Sequence, residues 1–134
     1  MITHDFPVRV YYDDTDAGGV VYHANYLKFA ERARTEYLRS LGFENTQIRD
    51  EHGIIIVVKS LEAEYLSPSR LDDFLIVQTR LLSVKNTSFV MEQKTIRDGA
   101  CVFSMNIVLV CVNEAGRPSK IPDAVKNSFL NEGL

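Results

Sequence analysis

Tyr12-Asp13-Asp14-Thr15-Asp16-Ala17-Gly18-Gly19-Val20-Val21-Tyr22-His23-Ala24-Asn25-Tyr26 sets acids, a double glycine and a histidine between a short apolar run and an amphipathic helix. An acid in a glycine-rich turn just ahead of a helix N-terminus can place a carboxylate beside unpaired backbone N–H groups. Those are parts of an acyl-transfer site: a group that attacks or activates water, and donors for an oxyanion. Downstream of the turn the period is helical. Tyr26, Ala30, Ala33, Tyr37 and Leu41 form one stripe, with Leu27 and Leu38 beside it, which predicts a helix over 26–41. Asn25 is its expected N-cap and Gly42 its C′ residue. Upstream, Val8 to Tyr12 reads as a short first strand.

A short helix is expected at Asn45 to His52, after which the period becomes that of strands. Gly53 to Leu66 begins with a β-branched run and then alternates, setting Lys59, Leu61, Ala63 and Tyr65 on one face. Ser67-Pro68-Ser69-Arg70 breaks it. Three more strands follow at Asp73–Val84, Ser88–Arg97 and Ala100–Asn113. Asp98-Gly99 makes a tight hairpin between the last two, and Lys85-Asn86-Thr87 turns the preceding pair. A terminal helix is expected from Pro122 to Leu130. The order is strand, long helix, then four strands, and the short connections between the last three favour an antiparallel meander. The fold class is therefore α+β, a sheet of about five strands curled around one helix, in a single domain over 1–134.

Hydrophobic content of 46% and charged content of 25% are those of an ordinary globular protein, and a net charge of −3 gives no sign of a nucleic-acid binder. No apolar run approaches the ~20 residues of a membrane span, and no basic-then-apolar leader opens the chain. A cytoplasmic location is expected. Cys101 and Cys111 lie ten positions apart on one predicted strand, which separates them by about 33 Å, too far for a disulfide. Their even spacing puts both on one face.

Asp14-Thr15-Asp16-x-x-Gly19-x-Val21-x-x-x-Asn25-Tyr26, ahead of a long helix, resembles the 4-hydroxybenzoyl-CoA thioesterase type of hotdog-fold enzymes. The longer run from Val8 to Glu36, with Glu64-Tyr65-Leu66-Ser67-Pro68-Ser69-Arg70-Leu71-Asp72-Asp73, looks closest to the YbgC branch. That branch is associated in some bacteria with the Tol–Pal envelope system. The resemblance implies a hotdog fold, hydrolysis of acyl-CoA, and Asp16 as the catalytic carboxylate. It also implies homodimers joined edge to edge, often paired into homotetramers, with active sites at subunit interfaces. Such pairing would cover an edge strand that is otherwise open.

Asp16 can attack the thioester carbonyl or act as general base for water, and the sequence leaves both open. His23, seven residues on, is the second catalytic candidate. Its ring can orient water or assist the leaving thiolate, and by resemblance its backbone N–H polarises the carbonyl, aided by the helix dipole. Gly18 and Gly19 permit positive φ and close approach of the acyl group, Tyr22 is a candidate for the acyl pocket, and Asn25 for orienting the loop. Lys85 and Ser88 stand where the related enzymes bind CoA phosphates. Asp13 and Asp14 are read as turn-shaping. A calcium loop counted from Asp14 ends on Asn25 rather than glutamate, no zinc spacing or dinucleotide fingerprint is present, and no metal or cofactor is expected. Acyl carrier protein is an alternative carrier. Alternative functions are an acyl-thioester sensor or adaptor for lipid-synthesis proteins, and a hotdog hydratase or dehydratase.

Overall fold

A computed structural model describes residues 3–133; residues 1, 2 and 134 lie outside it. Five strands and three helices follow in the order β1 (His4–Arg9), α1 (His23–Ser40), α2 (Asn45–His52), β2 (Ile55–Tyr65), β3 (Phe74–Val84), β4 (Ser88–Arg97), β5 (Ala100–Val112) and α3 (Asp123–Leu130). The strands form one antiparallel sheet in the order β1-β3-β4-β5-β2. The meander β3-β4-β5 is as expected. β2 closes one edge by pairing back onto β5, and β1 closes the other on β3.

α1 buries Tyr26, Phe29, Ala30, Ala33, Tyr37 and Leu38 against one face of the sheet, lying closest to β3 and β1. The sheet answers with Leu75, Val77 and Leu81 on β3, Phe89 and Met91 on β4, and Phe103, Met105, Ile107 and Leu109 on β5, all buried. Fully buried Ala30 and Ala33 let the helix backbone come close. α3 seals one end: Phe129 stacks on Tyr37 at 6.4 Å and packs against Phe89 at 4.9 Å. Among the described residues no helix is long and apolar enough to cross a membrane.

Four expectations are corrected. The first strand runs from His4 to Arg9 rather than Val8 to Tyr12. Pro7 is tolerated because β1 is an edge strand, where a missing N–H need not break a ladder. The strand then ends because a 3₁₀ turn at Tyr12–Asp14 begins, closed by the Asp14 carboxylate accepting the Tyr11 N–H at 2.9 Å. Second, α1 starts at His23, three residues early, so Asn25 lies inside the first turn and Tyr22 takes the N-cap position. Third, register shifts at Val58/Ser60 bulge Lys59 out of β2, leaving Val58, Leu61, Ala63 and Tyr65 opposite the inward residues of β5. Fourth, Cys101 and Cys111 both lie on β5, but an extra residue between the pairs Ile96↔Cys101 and Thr95↔Phe103 reverses the alternation. Cys111 is buried among the inward side chains and Cys101 falls on the other face.

Candidate active site

The acidic turn is a small hairpin. Thr15 bridges Val21, Asp16 N–H donates to the Val20 carbonyl at 2.9 Å, and Gly19 N–H donates to the Asp16 carbonyl at 3.0 Å. The hairpin is tied to the loop between β2 and β3 by Val21 N–H on the Ser69 carbonyl at 2.8 Å, and by a bridge between Val20 and Arg70. The Asp16 carboxylate takes part in the turn: Oδ1 accepts the Gly18 N–H at 2.8 Å. The side chain is nevertheless exposed, and Oδ2 has no partner among the described residues. Gly19 sits at φ +80°, in the left-handed region. Gly18 does not. Its lack of a side chain matters for space, since a Cβ there would stand 3.2 Å from Asp16 Oδ1.

The two acids ahead of Asp16 differ from it. Asp14 spends both oxygens on structure, Oδ2 on the Tyr11 N–H and Oδ1 on the Asn25 side-chain amide at 3.3 Å. Asn25 is buried, so its bond to Asp14 pins the hairpin to the first turn of α1. That replaces the N-cap role expected of it. Asp13 is exposed and makes no side-chain bond among the described residues.

At the start of α1 the Asn25 N–H returns to the Tyr22 carbonyl at 2.8 Å, whereas the His23 and Ala24 N–H groups meet no acceptor among the described residues. The Tyr22 side chain does not cap them. The helix dipole adds partial positive charge at these two donors. The His23 ring is exposed, lies 4.5 Å from the Tyr22 ring and meets Tyr65 edge-on at 6.3 Å. Beside it opens a cleft of about 320 Å³ lined by Val21, His23, Tyr26, Tyr65, Leu66, Ser67 and Pro68. A second cleft, of about 240 Å³, lies between the middle of α1 and β2, β4 and β5 and touches none of the predicted site residues.

Asp16, Gly19, Tyr22, His23 and Asn25 thus share one hairpin and helix start. Lys85 and Ser88 do not join them. They hold the β3–β4 turn through Lys85 N–H on the Ser88 carbonyl at 2.8 Å. That turn lies at the far end of β3 from the hairpin, about 33 Å away along the strand.

Tyr65 and Gln93 were not anticipated as site-supporting residues. The Tyr65 hydroxyl donates to the His23 carbonyl at 2.8 Å, and its ring packs on Phe103 and Tyr26 at 4.9 and 5.7 Å. Burial, then the neighbouring Tyr26, pushes its phenol up from the ordinary value. Gln93 is buried under α1. Its amide donates to the Ala30 carbonyl at 2.8 Å and the Thr79 hydroxyl at 3.0 Å, and its oxygen accepts from Arg34 at 3.0 Å. The inward parity of both residues was the available signal. Among the described residues no three His, Cys, Asp or Glu side chains gather as a metal-holding group.

Residues 10–129 match the profile of the Thioesterase-like superfamily. The acyl-CoA thioesterase YbgC of Haemophilus influenzae is 45% identical over 125 residues, 92% of each chain. The acyl-CoA thioester hydrolase YbgC of Escherichia coli O6:H1 is 41% identical over 126 residues, 92% of this chain and 93% of that one. Among solved structures, a probable thioesterase from Bartonella henselae is similar with a TM-score of 0.86 at 36% identity, covering 90% of this chain and 100% of that one.

Proposed function

The chain belongs to the thioesterase-like superfamily, and on that premise we propose that it hydrolyses acyl-CoA to a free acid and CoA with Asp16 as the reacting carboxylate. The observation that carries the reading is the exposed Asp16 side chain, held by Gly18 on one oxygen and free on the other, in a hairpin tied to a helix start with two unmatched N–H groups. A thioester carbonyl placed between them would have an acid facing its carbon and donors facing its oxygen. Asp16 then adds to the carbonyl carbon, or takes a proton from a water that does. In either route the oxygen gains charge toward the His23 and Ala24 N–H groups and the CoA thiolate leaves; in the first route water then hydrolyses the acyl–Asp16 anhydride, releasing the free acid and restoring the carboxylate. Gly19 leaves space for the acyl group, and the cleft beside His23 takes part of it, with Tyr22 at its rim.

The CoA phosphates belong to Lys85 and Ser88, and the topology supports a route by which those residues reach the site. β2 is an edge strand whose Tyr65 end adjoins the hairpin and whose Ile55 end adjoins the Lys85 turn. Pairing β2 with its own copy in antiparallel sense would bring the hairpin of one subunit to the same end of the joined sheet as Lys85 of the partner subunit. Val58, Leu61 and Tyr65, apolar and about 40–50% exposed on that strand, support a copy seated there. A homodimer pairing further into a homotetramer, a cytoplasmic location, and acyl carrier protein as a second carrier belong to the same reading.

The test follows thiol release from a panel of acyl-CoAs by wild type, Asp16→Ala and Asp16→Asn. Both variants should stay folded and lose at least about a hundredfold in kcat. Wild-type rates in either would remove Asp16 from the chemistry. Tight acyl-CoA binding with no thiol release at any chain length would make the protein a sensor.

A further inference from the structure

The first turn of α1 carries the donors on which the proposed chemistry depends, yet no side chain caps it. Among the described residues its one side-chain hydrogen bond from the sheet comes from β2: the Tyr65 hydroxyl bonded to the His23 carbonyl at 2.8 Å, across 42 residues of sequence. Tyr65 is fixed for this task. Its ring is held against Phe103 on β5 and Tyr26 on α1, and edge-on to His23 itself. The bonded carbonyl belongs to the same rigid peptide plane as the Ala24 N–H. A donor on that oxygen therefore sets the direction of the Ala24 N–H and draws electron density away from it, strengthening it as a donor. The bond also restrains His23, whose own N–H is the other free donor.

We propose that Tyr65 is a positioning residue for hydrolysis, aiming and polarising the His23 and Ala24 N–H groups toward the thioester oxygen through its bond to the His23 carbonyl. The proposal rests on the placement of the reaction at the Asp16 hairpin. Tyr65 neither attacks nor transfers a proton. The carbonyl oxygen becomes negatively charged only as the tetrahedral adduct forms, so loss of the hydroxyl reduces kcat and leaves ground-state binding of acyl-CoA almost untouched.

The experiment compares wild type, Tyr65→Phe and Asp16→Asn in steady-state thiol release, with kcat and KM resolved across pH 6–9 and melting temperature and oligomeric size measured alongside. Tyr65→Phe keeps the ring and its packing. It should lower kcat about five- to tenfold, the worth of one hydrogen bond of about 1 kcal/mol, with KM within about twofold and the shape of the pH profile unchanged. Wild-type kcat in Tyr65→Phe overturns the proposal. So does a loss of rate that appears only with loss of the folded oligomer, or one confined to KM. A limb of the pH profile that disappears in Tyr65→Phe also overturns it, because the hydroxyl would then be moving a proton. Activity retained by Asp16→Asn would instead bring down the reading of the hairpin as the reacting site, whatever Tyr65→Phe does.

Discussion

Gly18 and Gly19 are adjacent, and the structure predicts opposite consequences for replacing them with alanine. At Gly18 the backbone is outside the left-handed region, so alanine is allowed conformationally. Its Cβ would however stand 3.2 Å from Asp16 Oδ1, inside the roughly 3.5 Å at which nonbonded heavy atoms sit comfortably. Something must retreat by a few tenths of an ångström, and the exposed carboxylate is the softer partner. A displacement of 1 Å of a reacting group costs about a hundredfold in rate, so a shift of a few tenths should cost about three- to tenfold in kcat. At Gly19 the new Cβ meets nothing within 4 Å, but φ is +80°. An L-residue there is strained by about 1 kcal/mol. At about 2.1 cal/mol/K per residue of unfolding entropy, that is a loss of about 3–4 °C in melting temperature for this chain.

The assay is thiol release with saturating acyl-CoA, paired with thermal unfolding at one fixed protein concentration. Gly18→Ala should lose rate with its melting temperature within about 1 °C of wild type. Gly19→Ala should lose melting temperature. A Gly18→Ala protein of full kcat and lowered stability would refute the claim that residue 18 is kept bare for the Asp16 carboxylate.

Further outcomes follow from other parts of the molecule. Gln93→Leu leaves Arg34 and Thr79 without their buried partner and should destabilise by about 2–3 kcal/mol in urea unfolding; a change below about 0.5 kcal/mol would mean the network is not holding α1 to β4. Burial pushes the Cys111 thiol up to about 11, so at pH 8 a thiol reagent should titrate Cys101 alone in the native protein and both cysteines after unfolding. The raised Cys111 value also means that its stabilising effect is complete below the ordinary thiol pKa and is lost as pH climbs toward 11. Leu61→Arg places a charge where a second copy would seat on β2 and should yield monomers by light scattering with little hydrolysis; an active dimer of unchanged size would move the subunit contact elsewhere.

Much of the fold was legible because periodicity is a strong signal in long elements. β4, its hairpin and α2 lie where the pattern put them, since Asp98-Gly99 adopts positive φ at both positions and the alternation beside it is unbroken. The errors cluster where one residue changes parity or a local bond replaces a preference. An inserted residue in β5 turns Cys101 away from the face of Cys111, and a bulge removes Lys59 from the face of Leu61. Neither carries a composition signal. Asn25 has the chemistry of a cap, but Asp14 claims its amide and the helix begins earlier. Within the site, the hairpin residues could be grouped from sequence because they are close neighbours along the chain. Lys85 and Ser88 could be named only by resemblance, and no single chain brings them to Asp16. Tyr65 was missed because its role depends on contact with a helix start 42 residues away.

The two misses at the site, Tyr65 and the Lys85–Ser88 turn, have a common cause in the architecture. α1 lies closest to β3 and β1, and the inner side chains of β2 remain open at Val58, Leu61 and Tyr65. The strand that lacks a cover is therefore also the strand whose last residue braces the helix start. If a second copy seats on β2, the same contact that buries this strip fixes Tyr65 from its outer side and brings Lys85 of the partner subunit toward the hairpin. Seating the copy and completing the site would then be one event, because the brace is the last residue of that edge strand and is bonded to the helix start that carries the donors.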